Sequence, residues 1–338
     1  MSAKSHIIPV FVPHLGCPND CVFCNQRRIS GSAQPAEPHA VAEMLDRLDK
    51  IDGGYELAFY GGSFTAIPKQ EQEKLLNAVL PFLRLGKIRK VRVSTRPDAV
   101  DEDALQRLSA YGVETVELGA QSMCGEVLKL SARGHTAEDV RRASRLIKSK
   151  GMKLILQMMT GLPGDSEERA LYTAREIAAL EPDGVRIYPT VIIKDTPLFQ
   201  MWREGLYSEH TVEDAVAVCA RILPELSGIS IIRLGLNPTD GLSAGEAVGG
   251  AYHPALGELV YSRVMRNKAE RLLKGVPPGS RVVLGVAPQS LSQMIGQKRC
   301  NIKALTEMFG LGELNVIAAD LDKGEVTDVF KSVGDTGL

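Results

Sequence analysis

Apolar, β-rich runs alternate with helical patterns from residue 6 to residue 192, and this alternation limits the fold more than any other feature of the 338-residue chain. Strand, helix and strand in succession predict parallel βαβ units, and right-handed crossovers bring such units into one curled sheet. We therefore predict an α/β fold, a partial (β/α)6 barrel of the TIM type. The strand-like runs are 6–13, 56–62, 90–96, 113–121, 152–161 and 184–192, and the helical patterns are 37–50, 68–85, 101–111, 136–150 and 166–180.

The ends of two helical patterns carry recognisable capping residues. Asp101 and Thr136 precede apolar residues at helical spacing and are predicted N-caps. Gly112 and Gly151 are predicted to end the same two helices, because glycine readily adopts the left-handed conformation found there.

Beyond about residue 230 the regular alternation of strands and helices changes, which predicts a second domain. We expect residues 1–230 to form the partial barrel and residues 231–338 to form a small C-terminal α+β accessory module. A glycine-rich stretch, residues 241–257, is predicted to be a loop. The module's other segments are predicted as strand 230–236, helix 256–274, strand 281–288, helix 290–309 and strands 314–320 and 325–330.

Charge and hydropathy argue against some classes of protein. With 40 basic and 41 acidic residues the net charge is -1, so no global field favours a nucleic-acid partner. No apolar run reaches the ~18 residues that a membrane span needs, and no secretory leader is recognised, so we expect a cytoplasmic protein without membrane association. Two basic clusters, residues 87–92 and 141–153, are weak indications of RNA binding.

Three cysteines lie in one short loop after the first strand. Cys17, Cys21 and Cys24 form a CxxxCxxC motif, with Phe23 before the last cysteine. A [4Fe–4S] cluster is normally held by four thiolates, so three ligands leave one iron open. This loop resembles that of the radical S-adenosylmethionine (SAM) enzymes, in which SAM binds the open iron and is cleaved to a 5′-deoxyadenosyl radical. The three cysteines are therefore the predicted metal ligands.

A zinc site is the alternative interpretation of this loop. His14 would complete a Cys3His ligand set, although structural zinc loops usually take their second pair of ligands from a distant segment. A disulfide framework is disfavoured because Cys124, Cys219 and Cys300 are scattered singly along the chain. We expect Cys300, on a predicted helix, to be buried by packing.

Small and polar residues follow the strands, at the edge where βα barrels carry their active sites. Gly61 and Gly62 lack a Cβ, so a ligand can approach the backbone there. Arg96 can grip a carboxylate with two parallel hydrogen bonds, and Gln121 follows the next strand. The sequence leaves open whether Glu117 is a buried, paired carboxylate or a group that supports the site.

Tyr252 and His253, in the glycine-rich stretch, are the candidate catalytic residues. Loops of that composition often close over active sites. Either side chain could donate a hydrogen atom or a proton to a substrate radical. The alternative is that both anchor the loop on the core.

The chain resembles the radical SAM half of the catalytic subunit of Elongator over most of residues 6–207. The resemblance rests on STRPD at 94–98, ELGAQS at 117–122, RGHT at 133–136, GMKLILQMMTGLPG at 151–164 and PDGVRIYPTVIIKDTPLFQMWREGLY at 182–207. It implies a [4Fe–4S] cluster on the three cysteines, SAM as second cofactor, a reducing electron donor such as flavodoxin or ferredoxin, and tRNA as a candidate partner. It also implies a cofactor-binding surface formed by Gly61, Gly62, Ser63, Ser94, Arg96, Gln121 and Arg186.

The chain also departs from the family pattern. Ser94, Gln157 and Arg186 stand where that pattern has an acidic residue, a histidine and a lysine, so we expect different contacts there. A chain of this length is expected to lack the acetyltransferase domain of the Elongator subunit. Acetyl-CoA chemistry is therefore not carried over.

These observations predict a radical SAM enzyme, either a transferase or an oxidoreductase, with tRNA modification as the first hypothesis. Two alternatives stay open. One is a porphyrin or other small-molecule radical SAM enzyme that resembles oxygen-independent coproporphyrinogen oxidase, which shares the cysteine motif. The other is a non-catalytic, zinc-stabilised RNA-binding or adaptor protein. The sequence does not indicate the substrate or the oligomeric state.

Overall fold

In a computed structural model of the protein, the described residues are 6–12, 21–24, 36–49, 51–236 and 245–332. They divide into two compact units. Unit 1 comprises the described residues up to Thr211 together with Glu225–Pro254, and unit 2 comprises Val212–Pro224 and the residues from Ala255 onward. None of the helices in these ranges is long and apolar enough to cross a membrane.

Unit 1 is built on a seven-stranded sheet with the strand order β1-β2-β3-β4-β5-β6-β8, in which all neighbours are parallel. Consecutive residues of a strand point to opposite faces, and Leu154, Ile155 and Leu156 are all buried, so both faces of the sheet are covered. The predicted partial barrel is confirmed. The strands are β1 His6–Phe11, β2 Tyr55–Tyr60, β3 Ile88–Thr95, β4 Val113–Gln121, β5 Lys153–Thr160, β6 Gly184–Pro189 and β8 Ile231–Leu234.

Helices connect these strands, and the predicted caps are confirmed. The Asp101 side chain accepts a hydrogen bond from the Ala104 amide, and Thr136 forms a capping box with Asp139. Gly112 and Gly151 follow the last turns with φ of 76° and 69°. The helices are α1 Pro38–Asp46, α2 Lys69–Arg84, α3 Glu102–Ala110, α4 Gly125–Leu130, α5 Ala137–Ser149, α6 Glu167–Ala179, α7 Pro197–Arg203 and α8 Val212–Glu225.

The compact units divide the chain differently from the boundary predicted at residue 230. β8 pairs with β6 in parallel, with Val185 opposite Ile231, and so belongs to the sheet of unit 1. The glycine-rich stretch also contributes a strand, since β9 Ala247–Gly250 pairs antiparallel with β7 Val191–Ile193. Sheet membership depends on hydrogen bonding to distant strands, which a local pattern does not reveal.

Unit 2 contains a three-stranded sheet with the order β11-β10-β12, in which β10 is parallel to β11 and antiparallel to β12. Its core includes Leu284, Ile302 and Leu305. The predicted helix 290–309 is interrupted at Gly296, where φ is 74°, and Cys300 is exposed, contrary to prediction. The elements are α9 Leu256–Leu272, β10 Arg281–Val286, α10 Leu291–Ile295, α11 Cys300–Phe309, β11 Glu313–Ala318 and β12 Val326–Ser332.

Candidate active site at the carboxyl ends of the strands

A cavity of about 360 Å³ lies in unit 1 where the parallel strands end. The predicted residues that line it are Cys24, Gly61, Gly62, Ser94, Arg96, Gln121 and Arg186. Ser63 is fully buried beside them, where its hydroxyl lies 2.8 Å from Thr95 Oγ1 and accepts a hydrogen bond of 3.1 Å from the Arg96 amide. The structure thus brings these residues together, and their binding roles stay predictions.

The glycine pair after β2 has the backbone conformation that glycine favours. Gly61 and Gly62 have φ of 74° and 63°, values that L side chains rarely adopt. Both glycines line the cavity, so their backbone is open to a ligand.

Arg96 is 3% exposed, and one of its donors is unused. Its Nε and Nη2 donate to the two carboxylate oxygens of Asp98 at 3.0 and 2.9 Å. Nη1 is buried and has no hydrogen-bond partner among the described residues. A buried donor without a partner is costly, so this nitrogen beside the cavity fits an acceptor on a bound ligand.

Glu117 is a buried carboxylate held between two arginines. Arg92 Nη1 donates to Glu117 Oε1 at 2.5 Å, and Arg186 Nε donates to Oε2 at 3.0 Å. Arg92 also binds Glu56, with its Nε 2.7 Å from Oε1. The structure shows Glu117 as a buried, paired carboxylate, and because Arg186 is one of its partners, a supporting role at the site stays a prediction.

The Glu117 cluster includes Arg186, which the sequence predicts as a cofactor-binding residue, and Tyr60, which it does not. Arg186 Nη2 donates to the Tyr60 hydroxyl at 2.9 Å. Burial raises the pKa of Tyr60, and the charge of Glu117 raises it further. Burial opposes the charge of Arg186, yet Glu117 raises the pKa of its guanidinium above the ordinary value. Tyr60 is therefore a neutral phenol and Arg186 a fixed cation at the cavity.

Gln121 has an unusual backbone conformation, with φ of 64°. Its carboxamide oxygen accepts a hydrogen bond of 3.2 Å from Gln157, one of the positions that departs from the family pattern. A Cβ on Gly119 would lie 3.0 Å from Gln121 Nε2 and 3.1 Å from Arg133 Nη2, so glycine leaves room for both side chains.

Arg133 links the cysteine loop to the sheet, although only the RGHT motif pointed to it. Its Nη1 lies 3.1 Å from Cys21 Sγ, and its Nη2 donates to the Gly119 carbonyl at 2.7 Å. Cys21 is 4% exposed, and Cys24 follows in a turn with its amide 2.9 Å from the Cys21 carbonyl. Cys17, like the alternative ligand His14, lies outside the described residues.

The candidate catalytic residues are near one wall of the cavity without lining it. Tyr252 packs against Val191 and Ile193, both of which line the cavity, whereas neither Tyr252 nor His253 is among the described lining residues. The packing of Tyr252 agrees with the anchoring alternative. Hydrogen or proton donation by this pair stays a prediction.

Ion pairs within unit 1 neutralise part of the first basic cluster and most of the second. In the first, Arg92 is buried in the Glu117 cluster. In the second, the cations of α5 and the turn that follows it form ion pairs with neighbouring carboxylates. The pairs are Arg141–Glu176, Arg142–Asp139, Arg145–Glu138, Lys148–Glu181 and Lys150–Glu102.

Comparison with known families identifies the class of this site. The radical SAM superfamily model matches residues 11–177, and the model of the radical SAM C-terminal domain matches residues 182–266. Together they cover most of the chain, including the cysteine loop and every strand end at the cavity. The chain therefore belongs to the radical SAM superfamily.

Its relatives include an enzyme named for its action on tRNA and a protein named for the Elongator complex. The chain is 30% identical over 258 residues to a tRNA uridine(34) acetyltransferase of Methanocaldococcus infernus, covering 70% of this chain and 47% of the relative. It is 29% identical over 201 residues to human Elongator complex protein 3, covering 54% and 37%. The chain thus spans about half the length or less of these relatives. A structure of Methanocaldococcus infernus Elp3 superposes with a TM-score of 0.62 at 24% identity, covering 84% and 71%, and shares the fold.

Both superfamily cofactors, a [4Fe–4S] cluster and SAM, fit the residues present. Cys21 and Cys24 could supply soft thiolate ligands, and the Arg133 guanidinium offers a positive partner for a thiolate. The two glycines and the unused Arg96 donor suit the amino and carboxylate groups of SAM. The protein is a radical SAM enzyme.

Proposed function

We propose that this enzyme modifies tRNA, with a uridine as the target base. The observation that carries the proposal is the match to a tRNA uridine(34) acetyltransferase over 70% of this chain, a span long enough to include the cavity-forming strands. The match covers only part of the relative, so the proposal is limited to a radical reaction on the nucleoside.

The candidate site residues would have distinct roles. Cys17, Cys21 and Cys24 would hold the cluster, and the backbone at Gly61 and Gly62 would hold the amino group of SAM. The unused Arg96 donor would bind the carboxylate of SAM. When bound, the cluster and SAM supply a 5′-deoxyadenosyl radical that removes a hydrogen atom from the substrate.

Arg186 would act from the cavity wall as a fixed cation. Because Glu117 holds its guanidinium by two hydrogen bonds, at 3.0 and 3.1 Å, it offers a positive charge without side-chain rearrangement. Gln121 and Gln157 would present carboxamides, which can pair with the edge of a base. Ser94 would contribute a hydroxyl at the same surface.

The proposal extends to location and to the electron donor. An oxygen-labile cluster and an exposed free thiol at Cys300 suit a reducing compartment, which supports the cytoplasm. A low-potential protein such as flavodoxin or ferredoxin would deliver the electron.

Nucleoside profiling of tRNA by mass spectrometry tests the proposal. A deletion strain should lose one modified uridine, wild-type protein should restore it, and Cys24→Ala should fail to do so. A tRNA profile identical to that of the parent strain would reject the proposal and favour a small-molecule substrate, of which the porphyrin reaction is one example. Stoichiometric zinc without iron in the purified protein would instead support the zinc alternative.

A further inference from the structure

Unit 2 contains an arrangement that none of the matched family models covers, because those matches end at residue 266. β10 leads through α10 into a four-residue segment, Gly296-Gln297-Lys298-Arg299, which we call the GQKR loop. The chain then enters α11 and returns in β11, parallel to β10. A short glycine-led loop also binds RNA in KH modules, where a GXXG loop clamps four backbone nucleotides of single-stranded RNA.

The GQKR loop has a sharply turned backbone. φ is 74° at Gly296, 50° at Lys298 and 61° at Arg299. A Cβ on Gly296 would lie 2.6 Å from Cys300 Sγ and 3.1 Å from the Asn301 amide, so glycine is needed where the loop meets α11. Arg299 occupies the place of the second GXXG glycine and adopts the left-handed conformation that glycine favours there.

A buried asparagine fixes the loop between its two helices. Asn301 is 4% exposed, and its Nδ2 lies 3.1 and 3.2 Å from the carbonyls of Gln293 and Met294 in α10. The same nitrogen lies 3.0 Å from the Ser262 carbonyl in α9. Three helices are thereby tied at one point, so the GQKR loop is held in one orientation.

The loop presents positive charge that the protein does not neutralise. Lys298, Arg299 and Lys303 are exposed, and in the part of the chain that the structure describes none of the three has an ion-pair partner. Residues 281–306 contain no aspartate or glutamate. Arg299 ends the loop, and Lys303 lies near the start of α11.

Unit 2 also contains an edge strand and half-buried apolar residues in the elements that flank the loop. β11 is an edge strand of its sheet, and both α10 and α11 contact it. Ile295 and Val316 are half-buried at the margin of the core. Bases of a single strand can stack on apolar groups and bond to an open strand edge, while phosphates meet the cations.

We propose that the GQKR loop, the start of α11 and the edge of β11 form a binding site for single-stranded RNA. The inference deepens the proposed function and rests on it for the choice of RNA over DNA. Charge complementarity with phosphate and half-buried apolar residues in the same unit are the features that define this occupant.

Fluorescence anisotropy tests the inference, with the full-length holoprotein and a labelled, unstructured 12-nucleotide RNA as the probe. Lys298→Asp should weaken binding about tenfold and reduce the slope of log K against log salt by about 0.7, the value for one phosphate contact on a single strand. Aspartate tolerates the left-handed conformation at this position. Lys274→Asp is the matched control, since Lys274 is exposed in unit 2 outside the site and the charge change is the same. Lys303→Glu, on a regular helical position, should weaken binding similarly.

Equal binding by the Lys298→Asp and Lys274→Asp proteins would overturn the inference, as would absence of RNA binding or equal affinity for an RNA duplex. Single-stranded DNA bound as tightly as RNA would overturn the choice of RNA. The two experiments together distinguish failure of the proposed function from failure of the RNA site. A normal tRNA profile together with loop-dependent RNA binding rejects the function alone, whereas a missing nucleoside together with loop-independent binding rejects the site alone.

Discussion

The cavity of unit 1 and the GQKR loop of unit 2 both present cations, but they hold them in opposite ways. At the cavity, Arg186 is 8% exposed and shares the buried Glu117 with Arg92, which is equally buried. In the loop, Lys298 and Arg299 are exposed without a carboxylate partner in the described chain. A buried, paired cation positions a ligand, because its own geometry is fixed. An exposed, unpaired cation attracts one, because its charge is not neutralised.

The largest effect is expected at the cysteine loop. Cys24→Ala removes one of the three proposed cluster ligands and should abolish both iron binding and reductive cleavage of SAM to 5′-deoxyadenosine. Iron content, absorbance near 400 nm and product analysis after anaerobic reconstitution measure this. Cys124→Ala, at a half-buried cysteine outside the motif, should leave all three unchanged. Retention of a full cluster by the Cys24 variant would contradict the ligand assignment.

The next largest effect is expected on the free energy of unfolding when the buried charge of Glu117 is removed. Glu117→Gln leaves Arg92 and Arg186 without their shared carboxylate, and loss of one partner of a buried ion pair costs about 3–5 kcal/mol. The free energy of unfolding can be followed by fluorescence of Trp202, the single tryptophan, which lies in unit 1.

Glu114→Gln is the control for that measurement, because Glu114 is exposed on the same strand. It should change the free energy of unfolding by less than about 0.5 kcal/mol. Equal stability of the two variants would show that the Glu117 cluster does not stabilise unit 1.

A smaller effect, on the pH dependence of stability, is expected from the buried His135. Burial lowers the pKa of His135 to about 4, and Arg133 acts in the same direction. Its Nε2 lies 3.1 Å from the Ala120 carbonyl, while Nδ1 is buried without a partner among the described residues. Between pH 6.5 and 4 the unfolded chain therefore binds more protons at this residue than the folded protein, so stability falls as the pH falls.

The wild-type protein should lose about 2 kcal/mol at pH 5 relative to pH 8 through this one group, at 1.4 kcal/mol per pH unit. His135→Gln keeps a donor for the Ala120 carbonyl and does not titrate, so its loss between the two pH values should be smaller by that amount. Identical pH dependence of the two proteins, followed by Trp202 fluorescence, would contradict the role of His135.

Some of these features could be predicted from the sequence and others could not. The caps Asp101 and Thr136, and the glycines at 61 and 62, follow from local rules for backbone geometry. The pairing of Glu117 could not be predicted, because its partners lie on β3 and β6, and only strand order and register bring them together.

The same limit applies to β8 and to Arg133. A four-residue strand of half-buried residues has a weak local pattern, and its place beside β6 is a long-range choice. Arg133 reaches Cys21 across 112 positions of sequence. The GQKR loop could not be recognised from the sequence, because the helical pattern continues on both sides of Gly296.

Replacement of Arg133 should have a moderate effect on the reduction potential of the cluster, which a measurement of the free energy of unfolding would not detect. A guanidinium hydrogen bond to a ligand sulfur favours the more negative, reduced cluster, so its removal should lower the reduction potential. A bond worth about 1 kcal/mol corresponds to about 40 mV for one electron. Redox titration followed by electron paramagnetic resonance should show this shift in Arg133→Gln and none in Arg142→Gln, an α5 arginine paired with Asp139. An unchanged potential would restrict Arg133 to a structural role.

The smallest effect is expected from the paired surface cations of α5. Arg145 is exposed, like Lys298, but its guanidinium lies 2.9 Å from Glu138. Arg145→Gln should change the free energy of unfolding by less than about 0.5 kcal/mol and the affinity for single-stranded RNA by less than about twofold, since its charge is already neutralised. Anisotropy measured beside Lys298→Asp makes the comparison direct. If the Arg145 variant loses as much RNA affinity as the loop variant, pairing does not decide which cations attract RNA, and the contrast between the two kinds of cation fails.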